Sequence, residues 1–409
     1  MKQVKVSVFL DQKIHAGGGY QQALNMAVNF KKISSDICHV VFVTCIKENI
    51  ETLSSLGIDA LFISIPKWKQ LLLKVRRSIV YPPLLRLFRK TFGNNSFESF
   101  FIKNDIDLVF FTSPSELALD LESLNYFFTV WDLCHNDDPE FPEVRENRQF
   151  ELREKLYERA LPKAAAVFPD SEIGKENILR RFRVDADRVH VLPFSPGIEI
   201  KKHQESDVEG SGHTDVKSKY GLDCDYIFYP AQFWAHKNHV YLLQGLKILE
   251  QEYGKKVGAI LSGGDAGGNL TYVKQVVKEL GLSDRVVFAG FVSNEEIPQL
   301  YKQSLALVMP TYFGPTNIPP LEAFSLDVPV LYPDKHGLRD QVMGAALLMD
   351  LTEPSDMSRQ LAELIDNPSI RDELVSNGKK LLASNSDELL LETLSTALQS
   401  FVVRRQCWS

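Results

Sequence analysis

Between Pro310 and Phe324 the chain reads Pro-Thr-Tyr-Phe-Gly-Pro-Thr-Asn-Ile-Pro-Pro-Leu-Glu-Ala-Phe. These residue types, in this order, suit an anionic ligand that also carries hydroxyls. Gly314 lets the backbone approach a ligand closely. Pro319 and Pro320 fit the first turn of a helix, where their missing N–H groups cost nothing. A helix start offers free N–H groups and a positive dipole end, which suits a diphosphate. Glu322, about one turn further in, can accept hydrogen bonds from a pair of ribose hydroxyls. A second feature is the turn Gly17-Gly18-Gly19, whose glycines free N–H groups for an anion. It is not a G-x-G-x-x-G pattern, so a nicotinamide-binding reading is disfavoured. Asp223-Cys224-Asp225 resembles a metal-binding pair. It precedes a strand rather than ending one, so it reads as an exposed turn, and no metal is expected.

The elements that must position these residues follow from hydrophobic patterning. Val4–Leu10, His39–Cys45, Ala60–Ile65, Asp107–Thr112, Tyr126–Val130 and Ala164–Pro169 read as strands, with helices between several of them. A second alternating run starts at Tyr226 and continues past Pro329–Tyr332. Strands separated by helices indicate parallel β-α-β units. The polar stretch from Lys201 to Lys217 reads as a linker or exposed loop. The expected architecture is α/β, with two Rossmann-like doubly wound domains facing across a cleft. Residues 1–200 form an N-terminal domain and 201–385 a C-terminal domain. Residues 386–409 form a C-terminal helix packing back on the first domain. In doubly wound sheets ligands bind beyond the carboxyl ends of the strands.

Composition narrows the function classes. The 409 residues exceed one ordinary core and favour two domains. A net charge of −7 offers no global attraction for nucleic acid. The five cysteines are widely spaced with no C-x-x-C pair, which argues against a disulfide framework or zinc site and fits a reducing cytoplasm. The N-terminal run alternates like a strand and does not read as a signal peptide.

The stretch from Phe313 to Ala323 resembles the signature of retaining GT-B glycosyltransferases of family 4 (glycosyl transferases group 1). The variant Phe-Gly-Pro-Thr-Asn-x-Pro-Pro-Leu-Glu resembles a branch associated with bacterial surface polysaccharides. The resemblance implies that residues 1–200 are the acceptor-side domain, that 201–385 are the nucleotide-sugar-binding domain, and that Glu322 binds the nucleotide ribose. The family's first Glu, which contacts the donor sugar, is replaced here by Gly314. Main-chain groups of Gly314 to Asn317, or the side chains of Thr316 and Asn317, would take over. In Tyr229–Asn238 the resemblance implies a diphosphate grip by Lys237, while Gln232 stands where the family has Arg. Gln donates hydrogen bonds but carries no charge, so part of the electrostatic stabilisation is lost. His236 could restore some of it. Leu261–Gly264 resembles the family's small-residue turn under the donor, which brings in Gly263. Arg285–Val292 resembles the segment that meets the base, which brings in Phe291.

In the first half, the resemblance implies that Gly18 and Gly19 face the donor phosphates. Val130–Asn136 looks like the family's strand-end loop near the reacting centre, making Asp132 and His135 candidates to orient the acceptor or the sugar. Pro139–Glu143 would shape the acceptor site. Ser171 reads instead as a helix cap.

Residues 67–90 carry eight basic residues and no acid, interleaved with Trp68, leucines and Phe88. A basic amphipathic segment reads as a membrane-surface element, or as an ordinary helix that binds anionic acceptor groups. The expected protein transfers a hexose, mannose preferred, from a GDP- or UDP-linked donor to a glycan or polyprenyl-linked acceptor, with retention of configuration. It has no cofactor. It lies in the cytoplasm, peripheral on the inner face of the membrane. The alternatives are a weakened partner subunit that binds nucleotide sugar or glycan, and another GT-B chemistry such as sugar-nucleotide epimerisation.

Overall fold

The structure is a computed structural model that describes residues 3–14, 18–78, 82–92, 95–205, 215–314 and 316–408. Gly17 lies outside the described residues. The chain divides into two compact units. The first comprises Met1–Leu133, Glu151–Pro193 and Asp387–Ser409. The second comprises Cys134–Phe150 and Phe194–Ser386.

The first unit is built on strands β1 (Lys5–Leu10), β2 (His39–Thr44), β3 (Ala60–Phe62), β4 (Leu108–Phe111), β5 (Asn125–Val130) and β6 (Ala166–Pro169). Every pairing is parallel, in the order β3-β2-β1-β4-β5-β6. Val and Phe dominate the central strands because both sheet faces are covered. Val8, for example, lies between Phe42 and Phe110 in register. Phe9, Phe97, Phe101 and Phe111 meet edge to face at centroid distances of 5.1–5.8 Å. Ser171 caps helix Glu172–Arg181, its hydroxyl accepting the Gly174 N–H at 3.1 Å. The last helix, Asp387–Arg405, completes this unit: Phe401 meets Phe127 at 6.0 Å and Arg405 pairs with Asp107 at 2.9 Å.

The second unit repeats the plan with β7 (Tyr226–Pro230), β8 (Gly258–Ser262), β9 (Val286–Gly290), β10 (Leu307–Val308), β11 (Val330–Pro333) and β12 (Leu347–Met349). Its order is β9-β8-β7-β10-β11-β12, again all parallel. Each unit therefore has its own switch point, where successive crossovers leave the central strand in opposite directions. In the second unit that point lies between β7 and β10, the two strands that lead into the Gln232–Lys237 and Gly314–Glu322 segments.

The stretch read as a linker begins as helix, Ile198–Glu205, and its 206–214 portion lies outside the described residues. No described helix is long and apolar enough to cross a membrane.

Candidate functional site

Asn317 is the junction of the second unit's strand-end loops. It precedes helix Ile318–Ser325 with extended backbone and is 8% exposed. Its Nδ2 donates to Gly314 O at 2.8 Å and to Tyr332 Oη at 2.7 Å. Its Oδ1 accepts from Lys237 Nζ at 3.2 Å. Its N–H donates to Gln341 Oε1 at 2.9 Å, and its carbonyl accepts from Gln341 Nε2 at 2.6 Å. Lys237 and the helix start, eighty residues apart in sequence, are thus joined by one hydrogen bond. A cation and the positive end of a helix converge on the same place.

Gly314 has φ +100°, and a Cβ there would stand 2.9 Å from Asn317 Oδ1. The glycine is required by the loop that Asn317 closes. The family's glutamate cannot occupy this backbone without displacing the asparagine. Asn317 is committed to holding the loop, and Thr316 is half-buried in the turn before it. Pro315 lies outside the described residues.

Glu322 sits on the helix with 5% exposure, its Oε2 accepting from Tyr301 Oη at 3.0 Å. Burial lifts the Tyr301 hydroxyl well above its ordinary pKa, and the neighbouring carboxylate adds to this. Tyr301 therefore remains a donor that orients the carboxylate. Nothing in the sequence marked Tyr301, Tyr332 or Gln341. They are distant aromatic and amide residues whose roles appear only when the sheet closes.

Three backbone hydrogen bonds stitch the neighbouring loops. Ala231 N–H donates to Ser262 O at 2.8 Å, Phe233 N–H to Gly264 O at 3.1 Å, and Gly263 N–H to Gly290 O at 2.8 Å. A Cβ at Gly263 would meet Ala231 O at 2.3 Å, so this glycine is demanded by backbone contact. Gln232 uses Oε1 to accept from Trp234 Nε1 at 2.9 Å. Phe291, after β9, is 71% exposed with its ring edge beside Gly264. It is an open aromatic face at a strand end.

His236 is tied differently from the expectation that it supplies positive charge. Its backbone N–H donates to Glu143 Oε1 at 2.9 Å, its Nδ1 meets the same oxygen, and its ring stacks on Phe313 at 3.8 Å. A carboxylate in contact cancels any charge the ring carries. Burial pushes the Glu143 carboxyl up, but the hydrogen bonds from His236 outweigh this and hold it below its ordinary value. Phe141 packs on Tyr312 and Phe313 at 5.2 and 5.4 Å, and Lys335 joins Asp138 to Tyr312 O. Residues 134–150 therefore brace the Tyr312–Gly314 turn within the second unit. His239, beside Lys237, stacks on Phe233 at 4.4 Å, and burial drives its pKa to about 3. It stays neutral.

The remaining sequence candidates have surroundings of their own. Asp132, in the first unit, has a partly exposed carboxylate paired with Arg153. His135, in the second unit, is fully buried with its ring edge on Phe150 at 5.5 Å. Gly18 and Gly19 begin helix Gly18–Lys31, where the first N–H groups have no intrahelical partner. Asp223 and Asp225 pair with Lys256 and Lys217. Among the described residues no group of three His, Cys, Asp or Glu could hold a metal ion.

Comparison with known proteins accords with this geometry. Residues 215–381 match the family model described as Glycosyl transferases group 1. Alpha-D-kanosaminyltransferase of Streptomyces kanamyceticus is 24% identical over 229 residues, 55% of this chain and 57% of that protein. O-antigen chain mannosyltransferase B of Escherichia coli is 24% identical over 238 residues, 58% of this chain and 61% of that protein. The chain thus spans about three-fifths of the length of these curated relatives. Among solved structures, Anabaena HepE in complex with UDP and glucose matches with a TM-score of 0.72 at 16% identity, over 97% of this chain and 100% of that one. At that identity the likeness is one of fold.

Proposed function

We propose that this chain, a GT-B glycosyltransferase of group 1, moves a hexose from a nucleoside-diphosphate sugar to a glycan or polyprenyl-linked acceptor. The observation that carries this reading is the Lys237–Asn317 hydrogen bond, with Glu322 one turn into the helix that Asn317 begins. The arrangement offers a diphosphate a cation and the positive end of a helix dipole. It offers the ribose a carboxylate already oriented by Tyr301. Phe291 offers the base an aromatic face. Transfer is then mostly positioning and charge stabilisation of the leaving diphosphate. Retention, with the acceptor hydroxyl approaching on the leaving-group face, is part of the reading. Asp132 and the buried His135 are its candidates for orienting the acceptor or the sugar.

A mannosyl donor and a surface polysaccharide product are supported by the similarity to an O-antigen chain mannosyltransferase. The UDP bound to HepE keeps uridine donors in the test. Contact with an anionic membrane surface through residues 67–90 belongs to the same reading, since a polyprenyl-linked acceptor sits at such a surface. A second reading, a binding partner with weak turnover, is favoured by one observation: Gln232 brings no charge and its amide oxygen is already engaged.

The experiment is product analysis with GDP-mannose and UDP-glucose, with and without polyprenyl diphosphate-linked glycan. The transferase reading expects glycosylated acceptor. Lys237→Ala should then lower kcat by roughly 10²- to 10³-fold. Tight nucleotide binding without hexose transfer would favour the binding partner.

A further inference from the structure

Half of the large apolar side chains exposed among the described residues fall between 61 and 102, a tenth of the chain. Trp68, Leu71 and Val75 are spaced by three and four, one outward stripe of helix Lys67–Ser78. The opposite face is anchored. Leu73 is buried there, Arg76 pairs with Asp120 and Glu122, and Arg77 pairs with Asp120 and Glu116. These two arginines are neutralised within the first unit and are not part of the basic surface that the sequence suggested.

Beside the stripe lies a cavity of about 300 Å³, between the chain after β3, the start of this helix and helix Ser96–Lys103. Phe62 and Phe100 line it with apolar surface, Ser64, Ser96 and Ser99 with hydroxyls, Lys69 and Lys103 with charge. Ser99 and Lys103 share a helix face by their spacing of four. Among the described residues neither lysine is paired with a carboxylate, and Lys69 Nζ stands 5.5 Å from the Trp68 ring. Two ammonium groups and three hydroxyls around one small cavity match a phosphate, which carries more than one negative charge near neutral pH. The aromatic wall and the adjoining stripe match the apolar chain of an amphiphile.

We propose that this cavity holds the phosphate of an anionic membrane lipid while Trp68, Leu71 and Val75 enter the bilayer surface. The proposal rests on the membrane-facing part of the reading above and adds a defined site to it.

The test is flotation of the full chain with phosphatidylcholine vesicles, with and without phosphatidic acid. Binding should require phosphatidic acid. Lys69→Ala with Lys103→Ala should weaken it at least tenfold. Ser99→Trp, which fills the cavity without altering charge, should weaken it comparably. Unchanged melting temperatures would show that the variants remain folded. If both variants bind as wild type while Leu71→Asp does not, the cavity is overturned and the membrane reading stands. If wild type ignores the vesicles, both fail. If inorganic phosphate displaces the chain from phosphatidic acid vesicles at millimolar concentration, the lipid source is overturned.

Discussion

Asn317 engages its backbone and both side-chain polar atoms in holding one loop. That accounts for a glycine at position 314, where the family that this stretch resembles has a glutamate. Restoring the family residue with Gly314→Glu should not raise activity. It places a Cβ 2.9 Å from Asn317 Oδ1 on backbone with φ +100°, costing about 1–3 kcal/mol and loosening the loop. Thermal unfolding and donor kinetics of that variant check this, and a gain in kcat would contradict it. At this scale the residue types Lys237, Glu322 and Gly314 were legible because their chemistry is local. The wiring was not. Tyr301, Tyr332 and Gln341 reach the site from positions 9 to 24 residues away from their partners, and neither periodicity nor composition distinguishes them.

The elements repeat this lesson. Strands rich in Val, Ile and Phe could be read from the chain because both faces of a parallel sheet are buried. Edge strand β12, Leu347–Met349, escaped notice because it is three residues long and lacks β-branched types. Residues 67–90 read as one amphipathic stretch, but Pro82 and Pro83 begin a separate helix, Pro82–Phe92. The inward turn of Arg76 and Arg77 could not be foreseen, since Glu116, Asp120 and Glu122 lie 39 to 46 residues downstream. The brace of residues 134–150 also depends on a distant pair, Glu143 with His236. The Glu143 carboxyl titrates below its ordinary 4.5 in the folded chain. Its contribution to stability is therefore complete above that value and lost as pH falls through the lower, folded one. Glu143→Gln should lower the melting temperature at neutral pH, and the gap from wild type should close as the solution is acidified through that range. A gap independent of pH would contradict this account of the Glu143 carboxylate.

Over the whole molecule, neither unit is a continuous piece of chain. The second takes in Cys134–Phe150, and the first takes in Asp387–Ser409. A final helix returning to the first domain was already expected from the sequence. The excursion of Cys134–Phe150 was not, because boundaries read from one end to the other fall where composition shifts, as at the polar stretch after Lys201. The final helix buries Leu390, Leu394, Leu398 and Phe401. Ending the chain at Ser386 should cost the first unit about 5 kcal/mol or more, at roughly 1.5–3 kcal/mol for each such side chain. Calorimetry should show its transition moved to lower temperature. An unmoved transition would mean that the helix contributes little.

The central claim is that the second unit holds a nucleoside diphosphate with Lys237, the start of helix Ile318–Ser325, and Glu322. The most direct measurement is a melting-temperature panel of GDP, UDP, ADP, CDP and dTDP on wild type and Glu322→Ala, each referred to its own ligand-free protein. A nucleotide at a hundred times its Kd stabilises the fold by about 2.7 kcal/mol. The account predicts a clear rise with one of the five in wild type and a much smaller one in the variant. No rise with any of them, or an equal rise in both proteins, would contradict it.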